Sequence, residues 1–126
     1  MKKIVATLVL AFMMVGVFSS AAFARYLYIE RVVATISISG GRATCGGTVS
    51  TFDPNVISMK IELEQKPISG GSWSVHSTWN YTSAPNVTRY SNTGSASVPT
   101  GFVYRTKITA TVRGETATAY SGEIRH

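Results

Sequence analysis

Between Tyr26 and Ile124, apolar side chains recur at every second position in one segment after another, and Gly, Pro, Asn and Asp separate the runs. Alternation of this kind gives a strand one dry face and one wet face, whereas an amphipathic helix repeats its apolar residues every three or four positions. No helical repeat follows residue 24. Beyond that point the chain reads as all-β.

The segment Tyr26 to Ser39 alternates best near its end, with Ala34, Ile36 and Ile38 on one face, and Gly40-Gly41 then turns the chain. In Arg42 to Val49, residues Ala43, Cys45, Gly47 and Val49 share a face, and Asp53-Pro54-Asn55 reads as a turn. Ile57, Met59, Ile61 and Leu63 point one way in the third segment, while Ser58, Lys60, Glu62 and Glu64 point to water. Ser72 to Asn80 sets Trp73, Val75, Ser77 and Trp79 against Ser74, His76, Thr78 and Asn80. Tyr81 to Thr100, rich in Ser, Thr, Asn and Pro, is expected to be loop with short strands around Arg89 to Ser91 and Ala96 to Val98. The long run from Phe102 to Val112 places Phe102, Tyr104, Thr106, Ile108, Ala110 and Val112 on one face, and Arg113-Gly114 turns it into a last strand near Thr116 to Ile124. About seven short strands in such a length point to a two-sheet, immunoglobulin-like β-sandwich, with a small barrel as the alternative.

Residues 1–24 have a different character. Lys2 and Lys3 precede an uncharged run from Ile4 to Phe18, and Ala22-Phe23-Ala24 forms an A-x-A site. This is the pattern of a signal-peptide helix cleaved after Ala24. A spanning helix needs about 20 apolar residues, and Arg25 stands where a lipoprotein would need Cys. The expectation is a secreted, extracellular product with no stable membrane anchor after cleavage. Removal of residues 1–24 from 126 leaves 102, enough for a single β-sandwich domain over 25–126. The product carries 10 basic and 6 acidic residues, a net charge of +4, with the cations scattered rather than clustered. Nucleic acid is therefore not an expected partner. Cys45 is the one cysteine, so no disulfide can form within the chain, and a buried free thiol is expected there.

Gly101-Phe102-Val103-Tyr104, at the start of a long strand, resembles the tyrosine corner of immunoglobulin and fibronectin type III domains. That resemblance implies that Cys45, Ile57 to Leu63 and Thr116 to Tyr120 lie on the second, third and last strands of such a fold. The antibody-type pattern itself is missing, because Thr106 stands where its second cysteine would be and no tryptophan lies within Ile57 to Leu63. Ile36-Ser37-Ile38-Ser39-Gly40-Gly41-Arg42-Ala43-Thr44-Cys45, Leu63-Glu64-Gln65-Lys66 before Gly71-Ser72-Trp73, and Tyr104-Arg105-Thr106-Lys107 followed by Glu115 are similar to a family of small secreted Gram-positive bacterial proteins. The likeness spans nearly all of residues 26–121. It implies export and a β-sandwich, and it carries over no catalytic or binding residue.

Residues for chemistry are few. His76 lies on a polar strand face, His126 is the last residue and is expected to fray, and Asp53 sits in a turn. Glu62 and Glu64 share a wet face about 7 Å apart, which suits a solvated surface better than a cleft. A nucleophile with its base is not evident, nor is a zinc-type ligand spacing, so no enzyme, metal or cofactor is expected. The functional expectation is a non-catalytic binding module for an extracellular polymer or protein. A bacteriocin-like antagonist is the alternative. Trp79, Tyr81, Arg89 and Tyr90 are the candidate binding residues, since they combine aromatic anchors with adaptable polar neighbours. Trp79 also shares a face with Trp73 and Val75, and for Trp79 alone a place in the core is the favoured reading.

Overall fold

A computed structural model describes residues 26–126. The segment expected to be a signal peptide, with the expected cleavage residues Ala22 and Ala24, lies outside the described residues. Eight strands follow in order: β1 (Ile29–Ser39), β2 (Arg42–Asn55), β3 (Ser58–Pro67), β4 (Ser74–Thr82), β5 (Val87–Ser97), β6 (Phe102–Val112), β7 (Glu115–Tyr120) and the short β8 (Ile124–Arg125). They form an antiparallel three-stranded sheet, β1-β2-β5, and a five-stranded sheet, β4-β3-β6-β7 with β8 also paired to β6. The two sheets face each other across one core. The fold is an immunoglobulin-like sandwich in which β4 joins the larger sheet.

The core is where the alternation placed it. Val32, Ala34, Ile36, Ala43, Cys45 and Val49 line one inner face, and Ile57, Met59, Ile61, Leu63, Tyr104, Ile108, Ala110 and Val112 line the other, all buried. Each large aliphatic removed from water contributes about 1.5 to 3 kcal/mol, which lets the sandwich hold without a disulfide. Tight turns set the registers of two hairpins, one at Gly40-Gly41 and one at Arg113-Gly114, where Val112 pairs with Glu115. Gly40 and Gly41, with φ of 59° and 72°, join Ser39 to its partner Arg42, the two-residue turn whose twist matches that of the strands. The Tyr104 hydroxyl, carried into the core, donates to Pro99 O at 2.6 Å. That bond is the tyrosine corner anticipated from Gly101 to Tyr104.

Several local readings need correction. β2 does not turn at Asp53-Pro54-Asn55 but continues to Asn55, which pairs with Val87 after a break in register beyond Ser50. Thr51 Oγ1 and Asn55 Nδ2 both donate to Asp53 O, at 2.7 and 3.0 Å, which holds this irregular stretch, and Pro54 is tolerated where ladder bonding is already broken. Residues 81–100 are not mainly loop, since they include the 11-residue β5. Its alternation is weak because its inward positions, Tyr90, Asn92, Gly94 and Ala96, are polar or small.

The face assigned to Trp73, Val75, Ser77 and Trp79 is split by a bulge. Leu63 pairs with Ser77 but Glu64 pairs with Val75, leaving His76 as the extra residue. Ser77 and Trp79 therefore face the core, and Val75 and Trp73 turn outward. Glu64 is on the outer face as expected but is buried rather than wet. The last strand is also interrupted, because Ser121 bulges between β7 and β8. There Ser121 Oγ accepts from Thr106 N at 2.8 Å while Ser121 N donates to Thr106 O at 2.9 Å. His126 is not frayed: Gly101 N donates to His126 O at 2.7 Å, and His126 N donates to Phe102 O at 2.9 Å.

Candidate functional site

β4 and β5 are the edges of different sheets that meet on one side of the sandwich, and three of the four residues expected to bind lie along that seam. Trp79, opposite Ile61, reaches across so that its indole lies on Gly94 of β5, where any side chain would collide with three ring atoms. Tyr81 OH donates to Thr93 O at 2.7 Å, again from β4 to β5. Tyr90 OH accepts from Asn92 Nδ2 at 3.2 Å. All three rings are half-buried and packed on the core. They close the sandwich, and this use of their surface leaves little of it for a ligand. Arg89, the fourth residue, is exposed and points away from the seam.

A second constellation covers the outer face of the five-stranded sheet. Arg105 Nε donates to Glu64 Oε1 at 2.7 Å, and its guanidinium lies 4.1 Å from the Trp73 ring centroid and 4.4 Å from that of Tyr120. Lys66 and Lys107 flank the stack at 4.9 Å from Trp73 and 6.0 Å from Tyr120. In the register, Glu62 is opposite Lys107 and Glu64 opposite Arg105, as expected for neighbouring strands of opposite charge. Each ring has a cation over it, and the guanidinium has both its carboxylate and its π-faces. The row is internally satisfied and stiffens this face.

The outer face of the three-stranded sheet is different in kind. Its pairing builds five rows across β1, β2 and β5: Ser39-Arg42-Ser97, Ser37-Thr44-Ser95, Thr35-Gly46-Thr93, Val33-Thr48-Ser91 and Arg31-Ser50-Arg89. Apart from Val33 and Gly46, every position is a hydroxyl or an arginine. None is a carboxylate or an aromatic ring. Two rows are tied by hydroxyl pairs, Thr44 Oγ1 to Ser95 Oγ at 3.2 Å and Thr48 Oγ1 to Ser91 Oγ at 2.8 Å. At the centre Gly46 leaves a shallow depression bordered by Thr35, Thr48, Ser91 and Thr93. A Cβ at Gly46 would lie 2.5 Å from Thr35 Oγ1, so a side chain there would displace the Thr35 hydroxyl from its place in the row. The sequence signal for this surface was present in Ser91, Thr93, Ser95 and Ser97, but a hydroxyl repeat without an apolar counter-repeat reads as loop.

Groups capable of chemistry are dispersed. Cys45 is buried with a free thiol, and burial pushes its pKa up to about 11, against a smaller lowering by the Thr106 hydroxyl. That contact falls short of an ordinary hydrogen bond, since Thr106 Oγ1 has no partner. His76 Nδ1 lies 2.7 Å from Ser77 Oγ, in the bulge on an edge strand rather than in a cleft. No group of three or more His, Cys, Asp or Glu that could hold a metal ion occurs among the described residues. Burial tends to raise the pKa of Glu115, but backbone N–H bonds from Leu27, Tyr28 and Ile29 at 2.8, 3.0 and 2.9 Å more than offset this and leave it lowered. That carboxylate holds the start of the domain in place.

Fold and surface together define an immunoglobulin-like sandwich domain with one charge-paired outer face and one hydroxyl-rich outer face. Among solved structures, the chain is similar to the solution structure of R. palustris CsgH, with a TM-score of 0.47 and 14% identity over 72% of this chain and 89% of that chain. No protein-family model matches the chain, and no curated protein matches it.

Proposed function

We propose that this is a secreted, non-catalytic extracellular binding module that holds an extended polymer on the outer face of its three-stranded sheet. The observation that carries the reading is the contrast between the two outer faces. On the larger sheet Arg105 is matched by Glu64 and by the Trp73 and Tyr120 rings, whereas the smaller sheet presents rows of hydroxyls with exposed Arg42 and Arg89 in the first and last of them. Side chains two apart on a strand are about 7 Å apart, and neighbouring strands about 4.8 Å, so the face offers a repeating grid of hydrogen-bonding groups. A repeating ligand can use such a grid through many weak contacts at once.

Export through the segment ending at Ala24, and a Gram-positive bacterial source, are part of the same proposal and rest on the sequence pattern and resemblance. The binding residues are accordingly Arg42, Thr44, Arg89, Ser91, Thr93 and Ser95, which keeps Arg89 from the sequence reading. Trp79, Tyr81 and Tyr90 become its structural support. The exported protein should sediment with the insoluble cell-wall fraction of Gram-positive bacteria, and Ser95→Glu, on the surface away from the core, should reduce that retention without lowering the melting temperature. A wild-type protein that never sediments with such material contradicts the reading.

A further inference from the structure

We infer that the polymer is a polyanion of the polyol-phosphate kind, lying along the strands of the three-stranded sheet between Arg42 at one end and Arg89 at the other; this rests on the reading of that face as the binding surface. Arg42 and Arg89 are both exposed, and they belong to the first and last of the five rows. Arg42 and Ser50, the β2 partner of Arg89, are eight residues apart, so the arginines are separated by about 27 Å along the strands. Between them, β2 and β5 supply Thr44, Thr48, Ser91, Thr93 and Ser95, all hydroxyl donors.

Charge complementarity selects the ligand. The five rows carry arginines and no carboxylate, exposed Glu30 lying beyond them in the bulge before Arg31, while the acidic residues of β3 are on the other sheet, opposite Arg105 and Lys107. Arginine recognises phosphate with two parallel N–H···O bonds, and hydroxyls donate to the remaining phosphate oxygens. The five rows hold no aromatic ring on which a neutral sugar or a nucleobase could stack, the exposed Phe52 lying beyond them past Ser50. A flexible chain of phosphates and polyols needs no such platform. The hydroxyls of the protein can serve its phosphates as donors and its own hydroxyls as acceptors or donors. Arg42 already donates to Ser97 Oγ, at 3.4 Å, a long bond that a phosphate oxygen can replace.

The test is calorimetric titration of the exported protein with purified poly(glycerol phosphate), at two salt concentrations and with three variants. Wild-type affinity should fall severalfold between roughly 50 and 200 mM salt, as for other phosphate-led complexes. Arg42→Gln with Arg89→Gln should weaken binding at least about tenfold, a loss in the range expected for charge-assisted bonds, and should flatten the salt dependence. Ser95→Glu should weaken it comparably by placing a carboxylate at mid-face. Lys60→Gln with Lys107→Gln, on the other sheet, should leave affinity unchanged, and circular dichroism should show all variants folded. Unchanged affinity in the arginine variant, loss in the lysine variant, or equal affinity for polyglutamate or single-stranded DNA would each overturn the inference. If poly(glycerol phosphate) does not bind while cell-wall retention persists, the ligand class is wrong and the binding-module reading stands. Loss of both overturns both.

Discussion

Gly94→Ala is the smallest change that tests how the seam is closed. The Trp79 indole occupies the place where the new methyl would go, so the ring must move or the strands must part. Overpacking of this kind costs about 1 to 3 kcal/mol, and 2 kcal/mol is a reasonable centre because the ring is half-buried and can shift outward. Trp79→Ala alone removes the ring; full burial would make that cost about 3 to 5 kcal/mol, and half-burial brings it to roughly 2. With the ring already gone, Gly94→Ala meets no obstacle. Its backbone is not in the left-handed region, so alanine should then stabilise the extended strand by about 0.5 kcal/mol. The same methyl therefore changes from a cost of about 2 to a gain of about 0.5 kcal/mol, a coupling of about 2.5 kcal/mol, near the top of the range for contacting residues. Urea denaturation of wild type, both single variants and the double variant, followed by far-ultraviolet circular dichroism, gives this cycle. Additive effects, with Gly94→Ala costing the same in both backgrounds, would refute the contact.

Thr106→Cys should form a disulfide with Cys45 under oxidising conditions, adding up to about 4 kcal/mol for a loop of this length if the geometry is unstrained; two free thiols persisting by mass spectrometry would count against the facing of β2 and β6. Wild-type Cys45, with its pKa near 11, should be thiolate in only about one molecule in a thousand at pH 8, so native labelling by a thiol reagent should be slow and should accelerate on unfolding. Glu115 has a lowered pKa in the folded state, so its contribution is present above the ordinary value of 4.5 and lost as pH falls through the folded value. Hydrogen exchange should show Leu27, Tyr28 and Ile29 amides losing protection only as pH falls below 4.5, and losing it at every pH in Glu115→Gln, with the β3 and β6 amides unaffected. Glu64→Gln should cost about 1 to 3 kcal/mol because Arg105 loses a largely covered charged partner; no change in the urea midpoint would show that the cation–aromatic stack suffices alone.

The inner faces of β3 and β6 were readable because Ile57 to Leu63 and Tyr104 to Val112 each have a dry side backed by a wet one. The tyrosine corner was readable too, since a buried hydroxyl needs a partner and Pro99 is within reach. β5 was not, because Trp79 supplies from across the sandwich the bulk that β5 lacks, and a strand whose inward residues are Tyr90, Asn92, Gly94 and Ala96 has no apolar period of its own. Faces were misassigned wherever one residue was added: the bulge at His76 turned Trp73 and Val75 outward, and only a register can reveal that. Of the candidate residues, Trp79, Tyr81 and Tyr90 were chosen for aromatic character, which a core seam requires as much as a binding surface does. Arg89 fell on the hydroxyl face by the alternation of a strand of which only the pieces around Arg89 to Ser91 and Ala96 to Val98 were legible.

Ligand contact through the hydroxyl rows can be checked residue by residue with amide chemical-shift mapping of the protein during titration with solubilised cell-wall polymer. The perturbed residues should gather at Thr35, Ser37, Arg42, Thr44, Thr48, Arg89, Ser91, Thr93 and Ser95. Perturbations confined to Trp73, Arg105, Lys107 and Tyr120 on the opposite face, or an absence of any shift at saturating polymer, would contradict it.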